Sequence, residues 1–553
     1  MVIVMMGGKK LALYLNKYLV GNVYDREEIL EKYSTDQSIL KLKPELVAVP
    51  ANSRDLTRLL LFINTLAEKG FRIPVAVRGA GTSKNGDDLT DGLLILTEKL
   101  NKVRAINIRD RLVHVEAGVT LGELNAALSL VGLTLPVKAN DSATIGGLIA
   151  SGVKDDYAAH FGGIENYIDR LEFAAANGQL IQTSFVSRRA LKDITSGKSF
   201  EARLYNDLSA VVAPESPSRK SHKKALKLAR AAVEAETKKA EDAGLPSLAG
   251  YPGARRVQKY QGRHFDLAPF LFASEGSLGV ISEVILRCEL KDPDPAEMLA
   301  LFPDLAQSVE FYDKIKDSRP LSAEIYDTRI FKTIDTNDPN LALTSKSKKY
   351  LVRVQYSTRS PRNAARNVAS AMKKVPASAR AIKKDELNFE TFIRVDTAIS
   401  AFKNQAPGYP AFLDDFGLPL EKLGEFVKNL SETETALEKD LIFLGSLSNR
   451  VFSVRTTLDF SSSEGKKNIF RLLSEISNLV LDAGGVLCGG SAEGRTKSII
   501  TNRRNTVEDK ALYDAINLAF DPNDILAPDI KLGATANKTI RKIRDTAFLD
   551  FIN

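Results

Sequence analysis

Three runs of glycine and other small residues in the first half of the sequence are suited to binding an anion through the backbone. They read Arg78-Gly79-Ala80-Gly81-Thr82-Ser83, then Ser142-Ala143-Thr144-Ile145-Gly146-Gly147 with Ser151-Gly152, and then Ser274-Glu275-Gly276-Ser277-Leu278-Gly279 with Ile281. Small residues let several backbone N–H groups converge on a phosphate. The spacing fits neither the glycine loop of a Rossmann fold nor a Walker loop. Three such runs favour one extended ligand that is held along much of its length.

Side chains suited to acid–base chemistry or metal binding are scarce. The four histidines are His114, His160, His222 and His264, and none follows His264. The two cysteines, Cys288 and Cys488, lack the paired spacing of a zinc or iron–sulfur site, so no metal is expected. The absence of a disulfide framework favours a reducing compartment, with the cytoplasm as the default.

Alternating strands and helices position the first two runs. The apolar spacing from Leu56 to Ala67 predicts a helix, and residues 73–77 predict a strand that leads into the first run. Thr120 and Glu123 have the spacing of a capping box that opens a helix. Residues 171–181 predict a β-hairpin that turns at Asn177-Gly178.

A basic segment interrupts this pattern. Between about residues 186 and 258 the sequence becomes helix-forming and highly charged, with Arg219, Lys220, Lys223, Lys224, Lys227 and Arg230 close together. We interpret it as an inserted, solvated helical element, with a docking surface for an acidic partner as the alternative. The basic residues at the C-terminus, Lys538 to Arg544, indicate a short solvated helix or, alternatively, a contact with a membrane surface.

The chain has 553 residues and a formal net charge of +8. This length favours two or three domains. The charge is dilute, so it does not by itself indicate a nucleic-acid partner. No apolar stretch is long enough to span a bilayer, and Met1 to Met6 is too short for a signal peptide, so no integral membrane segment is expected.

The order of the motifs resembles the vanillyl-alcohol oxidase / p-cresol methylhydroxylase (PCMH) superfamily of FAD-linked oxidases. The nearest branch is similar to the D-lactate dehydrogenase and glycolate oxidase large-subunit type. The matching pieces are the three runs and the segment from Val115 to Leu124. More loosely, Gly484 to Arg495 resembles the family's late glycine motif, and Phe520 to Pro528 resembles its closing segment.

This resemblance implies an α+β fold with three parts. A PCMH-type, two-subdomain FAD-binding domain would cover residues 1–290, with the basic insert inside it. An α+β cap domain for the substrate would cover residues 291–480. A C-terminal segment, residues 481–553, would return to the FAD-binding domain.

The resemblance also implies site residues. The first run would hold the FAD pyrophosphate, the second would line the pyrophosphate and ribityl path, and Gly276, Gly279 and Ile281 would lie near the adenine. Glu275 would bond either the backbone or the FAD. Relatives that attach FAD covalently do so through a histidine in the first loop or a cysteine in the second. Those positions here carry Thr82 and no cysteine, so non-covalent FAD is expected.

The family's histidines are missing from the second half of the chain. Ser446 and Ser453 stand where the cap-domain histidines are expected, and Ser491 stands in the late motif. Imidazole is well suited to accept a hydroxyl proton near neutral pH, so the catalytic base is unknown. The weak candidates are Glu493, which is either a desolvated base or a solvated surface carboxylate, and His160. Arg394, Arg455 and Arg495 are candidate carboxylate ligands, or else ordinary surface or salt-bridge arginines; Ser491 is a further candidate for substrate contact.

The leading hypothesis is an FAD-dependent dehydrogenase or oxidase that moves hydride from a small hydroxy-acid-like or alcohol donor to flavin N5. Its electron acceptor stays open among oxygen, a quinone and a separate protein. The first alternative is a flavin-binding protein with lost or altered catalysis. A second alternative, binding of nucleic acid or an acidic partner through residues 219–239, is disfavoured, so no nucleic-acid partner is expected.

An absorption spectrum checks the cofactor prediction. We expect flavin bands in the purified protein, and we expect them to pass into the supernatant after acid precipitation because no covalent bond retains the FAD. Yellow colour left in the pellet would contradict non-covalent binding. A colourless protein that takes up no added FAD would contradict the cofactor itself.

Overall fold

The computed structural model describes most of the chain, with several gaps. The described residues are 8–212, 227–229, 231–233, 245, 247–256, 258–259, 264–333, 349–383, 389–404 and 408–545. Most of the basic cluster predicted between Arg219 and Arg230 therefore lies outside the described residues.

The described elements are a mixture of helices and strands. The helices are α1 (Gly8–Leu15), α2 (Glu27–Lys32), α3 (Ser53–Glu68), α4 (Leu121–Ser129), α5 (Ile145–Ala150), α6 (Ala158–Phe161), α7 (Arg188–Thr195), α8 (Phe200–Val212), α9 (Ala268–Leu271), α10 (Leu305–Ile315), α11 (Pro361–Met372), α12 (Phe389–Asn404), α13 (Leu420–Leu437), α14 (Ser463–Asp482), α15 (Gly494–Arg504), α16 (Val507–Phe520) and α17 (Ala536–Ile540). The strands are β1 (Asn22–Tyr24), β2 (Leu46–Val49), β3 (Val75–Arg78), β4 (Leu93–Leu96), β5 (Val103–Asn107), β6 (Leu112–Glu116), β7 (Leu133–Thr134), β8 (Ile168–Ala174), β9 (Leu180–Gln182), β10 (Val186–Ser187), β11 (Gln258–Lys259), β12 (His264–Phe265), β13 (Val280–Arg287), β14 (Glu289–Leu290), β15 (Ala296–Phe302), β16 (Ser322–Asp327), β17 (Tyr350–Tyr356), β18 (Arg380–Lys383), β19 (Leu413–Gly417), β20 (Ile442–Ser446) and β21 (Val451–Arg455).

Two larger sheets dominate the described N-terminal half, beside a three-stranded sheet, β10-β12-β11, and a two-stranded sheet, β14-β7. The first has the strand order β1-β2-β4-β3, with β2, β4 and β3 parallel. The second has the order β5-β6-β13-β8-β9 and is antiparallel throughout. β3 ends at Arg78, so the first glycine run begins where this parallel strand stops.

A third sheet dominates the C-terminal half. Its seven strands are antiparallel in the order β18-β15-β17-β16-β20-β21-β19, and they come from residues 296–455. The mixed helix-and-sheet architecture confirms the predicted α+β fold. The domain boundaries expected at residues 290 and 480 stay predictions.

Local sequence signals explain several of these elements. The helix predicted over Leu56 to Ala67 is α3, whose N-cap Asn52 accepts a hydrogen bond from the Asp55 backbone. Both hydrogen bonds of the Thr120–Glu123 capping box are present at the start of α4. The predicted hairpin is β8–β9, and Gly178 in its turn has φ +80°, which favours glycine.

The interpretation of the C-terminal basic residues as a solvated helix is wrong for Arg544. Helix α17 ends at Ile540, and Arg544 is only 3% exposed. Its guanidinium donates to the carbonyls of Asp36, Ser38 and Leu40, which fixes the end of the described chain against an N-terminal loop. Within the described ranges, no helix is long and apolar enough to cross a membrane.

The start of the first sheet depends on one buried carboxylate. Asp55 is fully buried and accepts hydrogen bonds from the backbone N–H groups of Val20, Gly21 and Ala51 at 3.1, 2.8 and 3.0 Å. It therefore joins α3 to the segment that connects α1 with β1.

Replacing Asp55 with asparagine tests this connection. The amide group lacks the charge and presents a donor where an acceptor is needed, so we expect the free energy of unfolding to fall by about 3 kcal/mol. Urea unfolding followed by circular dichroism measures the loss. The exposed substitution Asp110→Asn serves as the control and should change the unfolding free energy by less than about 0.5 kcal/mol.

Candidate functional site

A single large cavity brings the three glycine runs together. Its volume is about 800 Å³. The predicted residues that line it are Gly79, Ala80, Gly81, Thr82, Ser83, Thr144, Gly146, Gly147, Ser151, Glu275, Gly276, Gly279 and Ile281. The opposite wall comes from the seven-stranded sheet and α12, including Glu324, Arg353 and Lys403.

The first run presents backbone donors to this cavity. Within the described part of the chain, none of the six N–H groups from Gly79 to Lys84 donates a hydrogen bond to the protein. Buried backbone N–H groups are rarely left without an acceptor, and these half-buried or exposed groups border the cavity, where a ligand can accept from them. A Cβ on Gly79 would lie 3.1 Å from Cγ2 of Thr144 and closer still to its hydroxyl, so only glycine lets these two loops meet.

The second run has a different role. The N–H groups of Ile145 and Gly146 already donate to Val119 and Ala117, each at 2.8 Å, and the N–H of Gly147 donates to the Thr144 hydroxyl. A Cβ on Gly146 would lie 2.8 Å from the Cβ of Ala117. This run therefore shapes the cavity by close packing, while the first run supplies the free backbone donors.

The third run is a turn with unusual backbone angles. Ala273, Glu275 and Gly276 have φ values of +58°, +54° and +75°, a region that favours glycine. The Glu275 carboxylate accepts from the Gly494 N–H at 2.7 Å and lies 2.6 Å from Lys531 Nζ. These contacts hold a strained, non-glycine residue in place.

Asp87 orients the hydroxyl groups of two serines that belong to the first and second runs. It is buried, and its carboxylate accepts from the hydroxyls of Ser83 and Ser151, the latter at 3.0 Å. Both hydroxyl protons are thereby committed to Asp87. Toward a ligand, Ser83 and Ser151 can therefore act only as acceptors.

Lys403 and Asp156 form an ion pair on the cavity wall. Lys403 Nζ lies 2.7 Å from Asp156 and 3.3 Å from Glu324, whose carboxylate also accepts from the Tyr326 hydroxyl. The side chains of Lys403 and Asp156 are 29% and 26% exposed, and both line the cavity. A ligand in the cavity can therefore reach this pair.

The pKa values of both members of this pair are shifted from their ordinary values. Burial raises the pKa of Asp156 to about 6, although Lys403 opposes the shift. Burial alone would lower the pKa of Lys403, but the neighbouring carboxylates of Asp156 and Glu324 outweigh it and raise that pKa well above its usual value. Lys403 therefore stays charged while Asp156 can exchange a proton near neutral pH.

Arg455 lies at the base of the same wall. Its side chain is 1% exposed, and Nη2 donates to Asp414 at 2.7 Å. Its Nε and Nη1 have no hydrogen-bond partner within the described residues. A buried guanidinium with unused donors is a candidate ligand for a carboxylate.

Three serines stand where the family resemblance led us to expect histidines, and all three line the cavity. Ser446 accepts from the Asn449 N–H at 3.1 Å, and Ser453 accepts from the Asp415 N–H at 3.2 Å. Ser491 donates to the Asp415 carboxylate at 2.8 Å. Burial acts to raise the pKa of Asp415, but Lys84, Lys497 and this hydrogen bond outweigh it and hold the pKa low. Asp415 is therefore a poor proton acceptor.

The weak catalytic candidates lie away from the cavity lining. Glu493 is 1% exposed and accepts from the Gly250 N–H and from Lys531 Nζ, so the alternative of a solvated surface carboxylate is wrong. His160 is exposed and makes an edge contact with Phe161. Neither side chain reaches the space that the three runs enclose.

The remaining predicted residues are also outside the lining. Arg495 donates to the carbonyls of Leu89 and Pro528 and is buried, so it supports the loops rather than the cavity. Arg78 donates to the Thr35 carbonyl. The side chain of Arg394 lies outside the described residues. The residues Ser142, Ile145 and Gly152 do not line the cavity either.

Asp155 is a buried carboxylate with a structural role. Its Oδ1 accepts from the N–H groups of Lys138 and Tyr157 at 2.9 and 2.8 Å, while Oδ2 is enclosed without a hydrogen-bond partner among the described residues. Burial raises its pKa to about 7. Sequence reasoning missed Asp155 and Asp156, although the polar stretch Lys154-Asp155-Asp156-Tyr157 directly after the second run was an available signal.

Two family models match the chain on either side of this cavity. Residues 44–184 match the FAD binding domain, and residues 294–530 match the FAD linked oxidases, C-terminal domain. The chain belongs to the FAD-linked oxidase family. FAD is the cofactor of this family, so the predicted resemblance and the prediction of FAD are confirmed, while non-covalent attachment stays a prediction.

Curated relatives of this FAD-linked oxidase are similar over most of its length. D-2-hydroxyglutarate dehydrogenase of Haemophilus influenzae is 23% identical over 90% of the chain, which spans only about half (48%) of that protein. The mitochondrial D-lactate dehydrogenase (cytochrome) of Arabidopsis thaliana is 21% identical over 88% of the chain and 73% of its own length. Glycolate oxidase subunit GlcD of Bacillus subtilis is 20% identical, with 90% and 91% coverage.

A solved structure shows the same fold. An alkyldihydroxyacetonephosphate synthase superposes with a TM-score of 0.58 at 12% identity, covering 92% of this FAD-linked oxidase and 82% of that chain. At this identity the likeness establishes the fold alone.

Asp155→Asn tests the burial of this carboxylate in the FAD-linked oxidase. Because the folded-state pKa is raised, Asp155 binds a proton in the folded protein that the unfolded chain releases. Stability is therefore lost as the pH rises from about 4 toward about 7. The neutral amide removes this dependence, and we expect the slope of unfolding free energy against pH to become shallower by at most about 1.4 kcal/mol per pH unit.

Urea unfolding at several pH values between these limits measures the slope. The exposed carboxylate Asp141 provides the matched control, because Asp141→Asn should leave the slope unchanged. Identical slopes for Asp155→Asn and the unmodified protein would show that Asp155 is ionised in the folded state.

Proposed function

We propose that this chain is an FAD-dependent oxidoreductase that oxidises the CH–OH group of a small donor carrying a carboxylate. The observation that carries the proposal is the single cavity, which has the unpaired backbone donors of the first run on one side and the Asp156–Lys403 pair and Arg455 on the other. The names of the curated relatives, which include D-lactate, glycolate and D-2-hydroxyglutarate enzymes, support a 2-hydroxy acid as the donor.

The residues present fit FAD. The row of free N–H groups from Gly79 to Lys84 suits a pyrophosphate, which has several acceptor oxygens and needs several donors. Thr144, Gly146, Gly147 and Ser151 would shape the path beyond it, and Gly276, Gly279 and Ile281 would flank the adenine. When bound, FAD supplies the capacity to accept a hydride. No histidine or cysteine is among the described residues that line the cavity, which supports non-covalent binding.

Arg455 would bind the carboxylate of the donor. Its two unused nitrogen groups are buried against the cavity, and Asp414 fixes the third. A fixed guanidinium binds a planar carboxylate with two parallel hydrogen bonds. Arg455 Nη2 also lies 3.4 Å from the Lys403 carbonyl, so the donor carboxylate would lie close to the Asp156–Lys403 pair.

Asp156 would accept the hydroxyl proton in place of a histidine. It combines access to the cavity with a pKa of about 6, whereas Asp415 is held at a low pKa and Asp155 is enclosed. Oxidation breaks the O–H and C–H bonds of the donor and forms a C=O bond, and the hydride from the C–H bond would go to the bound FAD. The proton passes to Asp156, and Lys403 stabilises the carboxylate before it is protonated.

Altered catalysis is the second candidate, and the three serines in the cavity favour it. Without imidazole, the cavity could retain FAD while no longer oxidising a hydroxy acid. Anaerobic mixing of the purified holoprotein with a panel of 2-hydroxy acids, simple alcohols and amines separates the two. Bleaching of the flavin by a 2-hydroxy acid supports the proposal. Reduction by dithionite alone, with no donor effective, supports altered catalysis.

Asp156→Asn tests the proton acceptor. We expect kcat to fall by about 10²-fold with unchanged FAD content, because the amide cannot accept the proton. In the unmodified enzyme, kcat/KM should fall as the pH drops below about 6, where Asp156 becomes protonated. This inflection should be absent from the variant.

Two further variants control for indirect effects. Asp156→Glu restores a carboxylate and should recover part of kcat, while the surface substitution Asp313→Asn should leave the pH profile unchanged. An Asp156→Asn enzyme with an unaltered inflection would show that another group accepts the proton.

A further inference from the structure

An exposed apolar surface lies at the N-terminal end of the described chain, away from the cavity lining. Five of the twelve exposed large hydrophobic residues of the described structure belong to it: Leu13, Tyr14, Tyr18, Val20 and Leu61, with exposed fractions of 62%, 41%, 56%, 73% and 54%. We call these five residues the α1 surface. Monomeric soluble proteins usually scatter such side chains singly, so their concentration here indicates a contact surface.

Ring contacts join Tyr14 of this surface to Tyr18 and to α3. The ring of Tyr14 lies 4.9 Å from that of Tyr18 and 5.4 Å from that of Phe62, which is adjacent to Leu61. Arg58 donates to the Tyr18 carbonyl at 2.6 Å, linking α3 to the segment after α1. The α1 surface is therefore continuous across two elements.

The helix that carries the surface is anchored in the fold. Leu11, Ala12 and Leu15 are buried in the same apolar cluster as Leu56 and Leu59 of α3. The Asp55 carboxylate holds the Val20 N–H on the other side. Because the buried face of α1 is packed against the fold, the side chains on its other face are exposed next to one another.

The charges around the α1 surface are positive. Residues 1–24 include no aspartate or glutamate. Lys10, Lys17, Arg54 and Arg58 are exposed around the apolar side chains, while Asp55 is buried and bonded to backbone N–H groups. Among the exposed acids, Glu45 lies beside the start of α1 and Glu68 is the last residue of α3.

We propose that the α1 surface docks on a bilayer that contains anionic phospholipid. Tyrosine and aliphatic side chains enter the interfacial region, and flanking lysines and arginines contact the lipid phosphates. A second copy of this chain fits less well, because a symmetric contact would bring the four cations of each copy against each other. The proposal does not depend on the oxidoreductase function.

Vesicle sedimentation tests the proposal with the full-length holoprotein. We expect it to sediment with phosphatidylcholine vesicles that contain phosphatidylglycerol, and to bind at least about tenfold less to phosphatidylcholine alone or at high salt. The combined substitution Leu13→Ser, Tyr14→Ser and Tyr18→Ser should reduce binding by at least about tenfold, and Lys10→Glu with Lys17→Glu should do the same. Retention of FAD and the thermal unfolding midpoint verify that the variants are folded.

A matched apolar control lies elsewhere on the molecule. Leu130 is 88% exposed at the end of α4, so Leu130→Ser should leave vesicle binding unchanged. Absence of binding to anionic vesicles would overturn the proposal, as would binding that survives the triple substitution. A dimer that the triple substitution dissociates, measured by analytical ultracentrifugation, would assign the surface to self-association instead.

Discussion

The buried ion triad of Glu275, Lys531 and Glu493 holds the site together. One ammonium lies 2.6 and 2.9 Å from two carboxylates, and all three side chains are at most 3% exposed. Glu275 comes from the third glycine run, while Glu493 and Lys531 come from two separate places in the C-terminal segment. Burial and the facing Glu493 raise the pKa of Glu275 to about 7, and Lys531 limits that shift. Loss of the lysine would leave two buried carboxylates without a counter-charge. The resulting loss of folding free energy would be far larger than the net stabilisation that the intact ion pairs contribute.

Short-range signals were sufficient for much of the fold. The capping box at Thr120, the hairpin turn at Gly178 and the strand before Gly79 depend on neighbouring residues, and sequence patterns therefore predicted them. The convergence of the three runs on one cavity also followed from the family resemblance. The Asp156–Lys403 pair joins residues 247 positions apart, and no local pattern marks either partner for the other. The burial of Glu493 and Arg544 likewise depends on groups that are far away in the sequence, and no local sequence pattern reveals those contacts.

The cavity lining carries many charged groups and no imidazole among the described residues. Serines occupy three positions where histidines were expected, yet the same wall carries lysine, arginine and several carboxylates. Most of these charges neutralise one another: Arg353 bonds Glu297 and Asp396, and Lys403 bonds Asp156 and Glu324. A carboxylate in such a network acquires a pKa set by its burial and its neighbours rather than by its chemical type. The wall is therefore polar, and its positive and negative charges largely balance one another before any ligand enters.

The triad has a consequence for how the protein is made. The Glu275 carboxylate meets the Gly494 N–H across 219 positions, and its cation, Lys531, comes later still in the chain. During translation the first half emerges long before either partner. Until Lys531 leaves the ribosome, Glu275 either stays hydrated or takes up a proton, because burying an unpaired carboxylate is costly. The contacts of the turn at residues 273–276 therefore cannot be completed before residue 531 is made, and a chain truncated before that residue would carry all three glycine runs without the Lys531 contacts.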